Sequence, residues 1–225
     1  MTLCQKPILS RSLVVCGAIV LALHAGPARA QTDANLSVNA QLLVAARQND
    51  MVQVERTLTQ GAAPNSRNRL GKTALLLGAE KGNLALAERM MRAGADVNLA
   101  SLEGVTPLMA ASYAGNAALV QRLLAAGART DPLDRMKRPA IVYAVGQGHA
   151  GAIAALLAGG VDVNAAYEHQ LTALMWAAGQ GQADAAKLLL ERGARADARD
   201  DRGLTALDIA RQGGHTALAA ALQPR

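Results

Sequence analysis

Residues 101–133 read SLEGVTPLMAASYAGNAALVQRLLAAGARTDPL, one copy of a unit that runs through most of the chain. Thr106-Pro107 can start a helix, because a threonine oxygen caps free N–H groups and proline fits a first turn without losing a bond. That helix is predicted to reach about Tyr113, where Gly115 can turn the chain. A second helix over residues 117–125 places Leu119, Val120, Leu123 and Leu124 at the three-and-four spacing of a buried face. On that reading Leu124→Ala opens a core cavity and costs about 2–5 kcal/mol. Gly127 then supplies a left-handed cap, and Asp131 is expected to satisfy backbone groups of the following turn.

Outward from this copy the same features recur every 33 residues. One ladder runs Gly61, Gly94, Gly127, Gly160, Gly193; a second runs Gly82, Gly115, Gly148, Gly181, Gly214, with Asn49 one step earlier. A third runs Asn65, Asn98, Asp131, Asn164, Asp197. Three position classes in phase mean one supersecondary unit in tandem, each burying its apolar face on its neighbours. Such an array offers a long surface and no enclosed pocket.

Within the copies, Gly104, Thr106, Pro107, Leu108, Ala111, Leu123, Leu124, Gly127 and Ala128 match an opening G-x-T-P-L-H-x-A-A and a close L-L-x-x-G-A-D-V-N. Gly71, Thr73, Leu75 and Ala79, then Thr172, Leu174, Ala177 and Ala178, then Gly203, Thr205, Leu207 and Ala210 repeat the opening. The close is clearest at Gly94-Ala95-Asp96-Val97-Asn98. This pattern resembles the ankyrin repeat. The resemblance implies an all-α ankyrin-repeat solenoid of six helix-turn-helix copies: 35–67, 68–100, 101–133, 134–166, 167–199 and 200–225. It also implies a non-enzymatic scaffold that binds another protein through loop tips and the adjoining concave face of the first helices. The first copy lacks Thr-Pro and carries Gln41, Arg47, Gln48, Asn49 and Asp50, which suit a polar cap. The last stops after its second helix, as a terminal cap should.

Residues 1–30 read as a secretory signal peptide. Lys6 and Arg11 precede the apolar run LVVCGAIVLAL at 13–23, and Pro27-Ala28-Arg29-Ala30 supplies the cleavage site. A spanning helix wants about 20 apolar residues, and this run is shorter, so no stable membrane anchor is expected after cleavage. Residues 31–34 make a short leader, and the mature protein is expected in a periplasm or outside the cell. Both cysteines, Cys4 and Cys16, fall in the signal segment, which leaves the mature chain without thiol chemistry. The net charge of +6 drops to +3 once Lys6, Arg11 and Arg29 are removed. No basic stripe with interleaved aromatics remains, which argues against nucleic acid.

The chain has no Phe, three Tyr and one Trp. Tyr113, Tyr143, Tyr167 and Trp176 all fall in copies three to five. Tyr113 and Tyr167 are read as partner contacts, Tyr143 and Trp176 as packing, because the latter two share a usually apolar repeat position. His149 and His215 share a helix-start position and are read as structural. Copy four departs from the template: Asp134-Arg135-Met136-Lys137-Arg138-Pro139 puts Lys137 where glycine is usual and Pro139 where threonine is usual. Its loop joins three cations to Leu133 and Met136. Leu133, Arg135, Met136 and Arg138, with Tyr113, Tyr167, Glu168 and His169, are the candidate contact residues, facing an acidic patch on a partner protein. No catalytic, metal or cofactor constellation is expected: the four mature serines, at 37, 66, 101 and 112, lack a nucleophile context, and His169 stands alone. The array is expected to be monomeric. It either supports or inhibits another exported protein, or acts as an effector or immunity-type protein on a foreign target.

Overall fold

A computed structural model describes residues 37–223; the predicted signal peptide and leader lie outside the described residues. Among the described residues, twelve α-helices follow one another in pairs. They are α1 Val38–Gln48 and α2 Met51–Thr59, α3 Ala74–Glu80 and α4 Leu84–Arg92, α5 Pro107–Ala114 and α6 Ala117–Ala125. The second half continues with α7 Ala140–Gly146 and α8 Ala150–Ala158, α9 Ala173–Gln180 and α10 Ala183–Glu191, α11 Ala206–Gln212 and α12 Thr216–Ala221. Among the described residues there is no strand, only an isolated bridge between Ala166 and Thr172. The first helices α1, α3, α5, α7, α9 and α11 pack side by side, and α4, α6, α8 and α10 form a second row behind them.

The start signals work as the sequence implies. Thr106 Oγ1 accepts the Met109 N–H at 3.2 Å, and Thr73, Thr172 and Thr205 cap their helices in the same way. Pro139 leaves α7 with no side-chain cap. The core is one continuous cluster that includes Leu75, Leu108, Met109, Ile141, Met175, Leu86, Leu119, Leu123, Ile153 and Leu189. Leu124 departs from expectation. It is half-buried, its tip lying where a Cβ on Gly159 would meet Leu124 Cδ1 at 2.7 Å. The cavity argument therefore transfers to Leu123, which is fully buried.

The second glycine ladder has a double cause. Gly115, Gly148 and Gly181 have φ of 74°, 72° and 69°, a left-handed region where a side chain is strained. Each is also covered by a side chain of the next copy: a Cβ on Gly115 would sit 2.7 Å from the His149 ring, and one on Gly148 would sit 2.3 Å from Gln182. Those covering side chains staple adjacent copies. His149 Nε2–H donates to the Tyr113 carbonyl at 3.0 Å, Gln182 Nε2 to the Gly146 carbonyl at 3.0 Å, and His215 Nε2–H to the Gly179 carbonyl at 3.2 Å. A carbonyl only accepts, so Nε2 carries the proton in both histidines.

The third ladder is a clamp whose chemistry requires an amide. Asn98 accepts the Arg129 N–H at 2.9 Å and donates to the Gly127 carbonyl at 3.1 Å. Asn164 repeats this with Arg195 at 2.8 Å and Gly193 at 3.1 Å. Asp131 cannot donate, and it turns instead to Arg129 in its own loop, at 2.6 Å. Among the described residues Asp131 thus bonds neither the backbone of the following turn, as expected, nor the next copy, and the clamp is missing at the junction of copies three and four. Asp131→Asn should restore it toward Gly160 and Asp162. Two new hydrogen bonds at about 1 kcal/mol each, less a weak exposed ion pair, give a net gain of about 0.5–1.5 kcal/mol. Urea denaturation of the variant checks this, and an unchanged midpoint would show the clamp to be silent.

Candidate functional site

Between copies a loop projects from each junction, and all five described loops share one hairpin frame. The bonds Asn68 N to Lys72 O, Ser101 N to Val105 O, Asp134 N to Arg138 O, Tyr167 N to Leu171 O and Asp200 N to Leu204 O measure 2.9–3.1 Å. At the base, a short polar side chain accepts the N–H groups of its own turn: Asn68 from Leu70 and Lys72, Asp134 from Met136 and Arg138, Asp200 from Arg202 and Leu204. This is the local bonding at which Asn, Asp and Ser excel. Each loop takes the number of the copy it opens, and in loop five the base residue is Tyr167, which cannot do it. There the turn shifts, with His169 and Gln170 both at positive φ (60° and 58°).

Neighbouring loops are also tied tip to tip. Leu102 N donates to Leu70 O at 3.0 Å, Arg135 N to Glu103 O at 2.9 Å, and Asp201 N to His169 O at 3.1 Å. The equivalent bond from Glu168 N to Met136 O is missing among the described residues. A cleft of ≈ 210 Å³ opens there between loops four and five, lined by Met136, Lys137, Arg138, Val142, Tyr167, Glu168, His169, Leu171 and Trp176. A second hollow of ≈ 170 Å³ adjoins it on the first helices, bordered by Tyr113, Tyr143, Gly146 and Gln180 and again by Arg138, Val142 and Trp176. Gly146 lacks the side chain that would fill this hollow; a Cβ there meets nothing within 4 Å.

Loop four owes its shape to a buried carboxylate. The Asp134 side chain is 2% exposed and binds the Arg138 guanidinium at 2.9 and 3.0 Å. It also accepts the Tyr143 hydroxyl at 2.5 Å. Arg138 lies over the Tyr143 ring with its Cζ 4.9 Å from the centroid, and Tyr113 meets that ring edge-on at 6.2 Å. Burial pushes the Asp134 carboxyl up, but the bonds from Tyr143 and Arg138 outweigh it and hold the group below its ordinary value. Burial, then the hydrogen bond and charge of Asp134, push the Tyr143 hydroxyl up to about 12.

The predicted contact residues are therefore only partly united. Met136, Arg138, Tyr167, Glu168 and His169 line the cleft, and Tyr113 lines the adjoining hollow at 53% exposure. Leu133 is exposed but lines neither, and Arg135 reaches back to Glu103 at 3.0 Å. Arg138 is an anchor of its own loop, so the cationic surface expected here shrinks to Lys137, which has no ion pair among the described residues. His169 is engaged by Asp201 at 2.8 Å. Tyr167 is half-buried against the core, and that burial, with the charge of Asp162, pushes its hydroxyl up to about 12.

Trp176 and Tyr143 are both half-buried, and part of each ring borders the open face beyond the core. The signal was in their column: Leu77, Ala110, Tyr143, Trp176 and Ile209 share one repeat position. Leu77 and Ala110 are buried, at 7% and 4% exposure, and a larger ring at that place overruns the core and emerges. Lys137, at φ 57° where Gly71, Gly104 and Gly203 stand in other copies, stores strain beside the cleft. Lys137→Gly should stabilise the array by about 0.5–1 kcal/mol, read as a rise in thermal midpoint.

Comparison with known families agrees with this architecture. The family model described as ankyrin repeats (3 copies) matches residues 42–134, 77–167 and 141–224 in overlapping placements. A search among curated proteins finds no match. With nearly all of the described residues covered, the chain belongs to the ankyrin repeat family.

Proposed function

We propose that this protein is an exported, non-enzymatic scaffold that holds another exported protein against copies three to five, supporting or inhibiting it. Ankyrin repeats generally mediate protein–protein interaction, and export rests on the reading of residues 1–30. The observation that carries the placement is the row Tyr113, Tyr143 and Trp176, partly open to solvent beside the one gap between neighbouring loops among the described residues. Aromatic side chains present large area at low entropic cost and dominate binding hot spots. The stacked helices fix their positions in advance, so little order is lost on docking. Lys137 supplies the cation for a carboxylate on the partner.

Cross-linking of the tagged mature protein in its native compartment, followed by mass spectrometry, tests this. The expected result is one recurrent protein partner, with recovery reduced about tenfold by Tyr113→Ala combined with Met136→Ala. Both residues are exposed, so circular dichroism should stay unchanged. Full recovery by the folded double variant would move the site elsewhere.

A further inference from the structure

The other end of the array carries a separate hollow that copies three to five do not explain. Among the described residues, it spans ≈ 520 Å³ across copies one and two. Its apolar floor is Leu43, Val44 and Leu77, and its wall holds Arg47, Arg67 and Arg69. Among the described residues no carboxylate lines it, and none of the three arginines has an ion pair. Seven of the twelve other arginines among the described residues are paired with acids: Arg89, Arg122, Arg129, Arg135, Arg138, Arg195 and Arg202.

Arg67 is held as a fixed donor. Its Nε donates to the Gly71 carbonyl at 2.9 Å, and Nη2 donates to the Ala100 carbonyl. Two neutral acceptors orient the guanidinium and leave its charge uncompensated, the arrangement that suits a planar carboxylate. The cations form no continuous track along the array: one step on from Arg69 stands Leu102, and Arg135 beyond it is paired with Glu103. One step on from Arg47 stands Glu80, then Tyr113; one step on from Arg67 stands Ala100, then Leu133. A long polyanion such as nucleic acid would find no track to follow. A free inorganic anion would leave the apolar floor unused.

We infer that this hollow binds a short acidic peptide segment that also carries apolar side chains, placing carboxylates on the three arginines and an aliphatic side chain on Leu43, Val44 and Leu77. The site is separate from the aromatic hollow, so one partner can be gripped at two places along the array.

The test is fluorescence anisotropy with a labelled synthetic peptide alternating glutamate and leucine, and with its glutamine analogue. The full mature array should bind the acidic peptide saturably and the analogue at least about tenfold more weakly. Arg47→Gln with Arg69→Gln, which leaves the Arg67 anchor intact, should weaken binding by about the same factor, and raised salt should weaken it further. Trp176→Ala should leave this binding unchanged, which separates failure here from failure at copies three to five. Absence of saturable binding, equal affinity for the analogue, indifference to the arginine variant, or stronger competition by duplex DNA would each overturn the assignment.

Discussion

Leu123→Ala should lower the stability of the array by about 2–5 kcal/mol, while Leu124→Ala, its neighbour in sequence, should cost only about 1–2 kcal/mol. Both are leucines on α6 in the central copy, and the helical spacing alone assigns both to the buried face. Leu123 is completely enclosed, so truncation loses its transfer free energy and leaves a cavity that close-packed neighbours cannot refill. Leu124 keeps part of its surface in water and abuts Gly159, where collapse is easy. Copy three has a neighbour on each side, and α6 packs between α4 and α8. The cavity therefore weakens interfaces in both directions, and urea unfolding of Leu123→Ala should broaden as the two halves uncouple. Equal losses for the two variants would refute the burial difference.

The contrast between these leucines shows what a sequence of this kind does and does not carry. Its 33-residue period determines the helix pairs, because capping threonines, turn glycines and apolar spacing are local and repeat in register. The contact surface is written differently. Whether Arg138 is a free cation or an anchor depends on Asp134 and Tyr143, whose convergence appears only once loop four is folded back on α7. The same holds for Asp131, which the ladder treats as equivalent to Asn98 although a carboxylate cannot donate to a carbonyl. That difference was open to chemical reasoning from the residue type alone. Tyr167 was likewise legible as an outlier, since Asn68, Ser101, Asp134 and Asp200 occupy its column. What the column could not give is the consequence, a shifted turn and an open cleft.

Asp134→Ala should cost about 2–4 kcal/mol and disorganise loop four, although Asp134 lies in a loop and is no part of the leucine core. The Met136 and Arg138 N–H groups lose their acceptor, and so does the Tyr143 hydroxyl. Arg138 is itself partly exposed, so its charge pair contributes modestly after screening by water. Most of the loss comes from the orphaned backbone and hydroxyl donors. Tyr143→Phe removes one of these bonds and should cost about 1 kcal/mol. The pH dependence separates this account from simple misfolding. The folded Asp134 carboxyl sits below its ordinary 3.8, so its contribution is complete above that value and is lost as pH falls through the lower folded one. The gap in stability between wild type and Asp134→Ala should therefore be constant near neutrality and close below pH 3.8. Tyr143 acts at the opposite end: its contribution is complete below its ordinary 10 and fades as pH rises through about 12. A gap that stays constant through the acid range would mean that the carboxylate does not organise the loop. Loss of loop four should also abolish cross-linking at copies three to five while leaving acidic-peptide binding at copies one and two intact, because no residue lining the arginine-walled hollow there touches the Asp134 network.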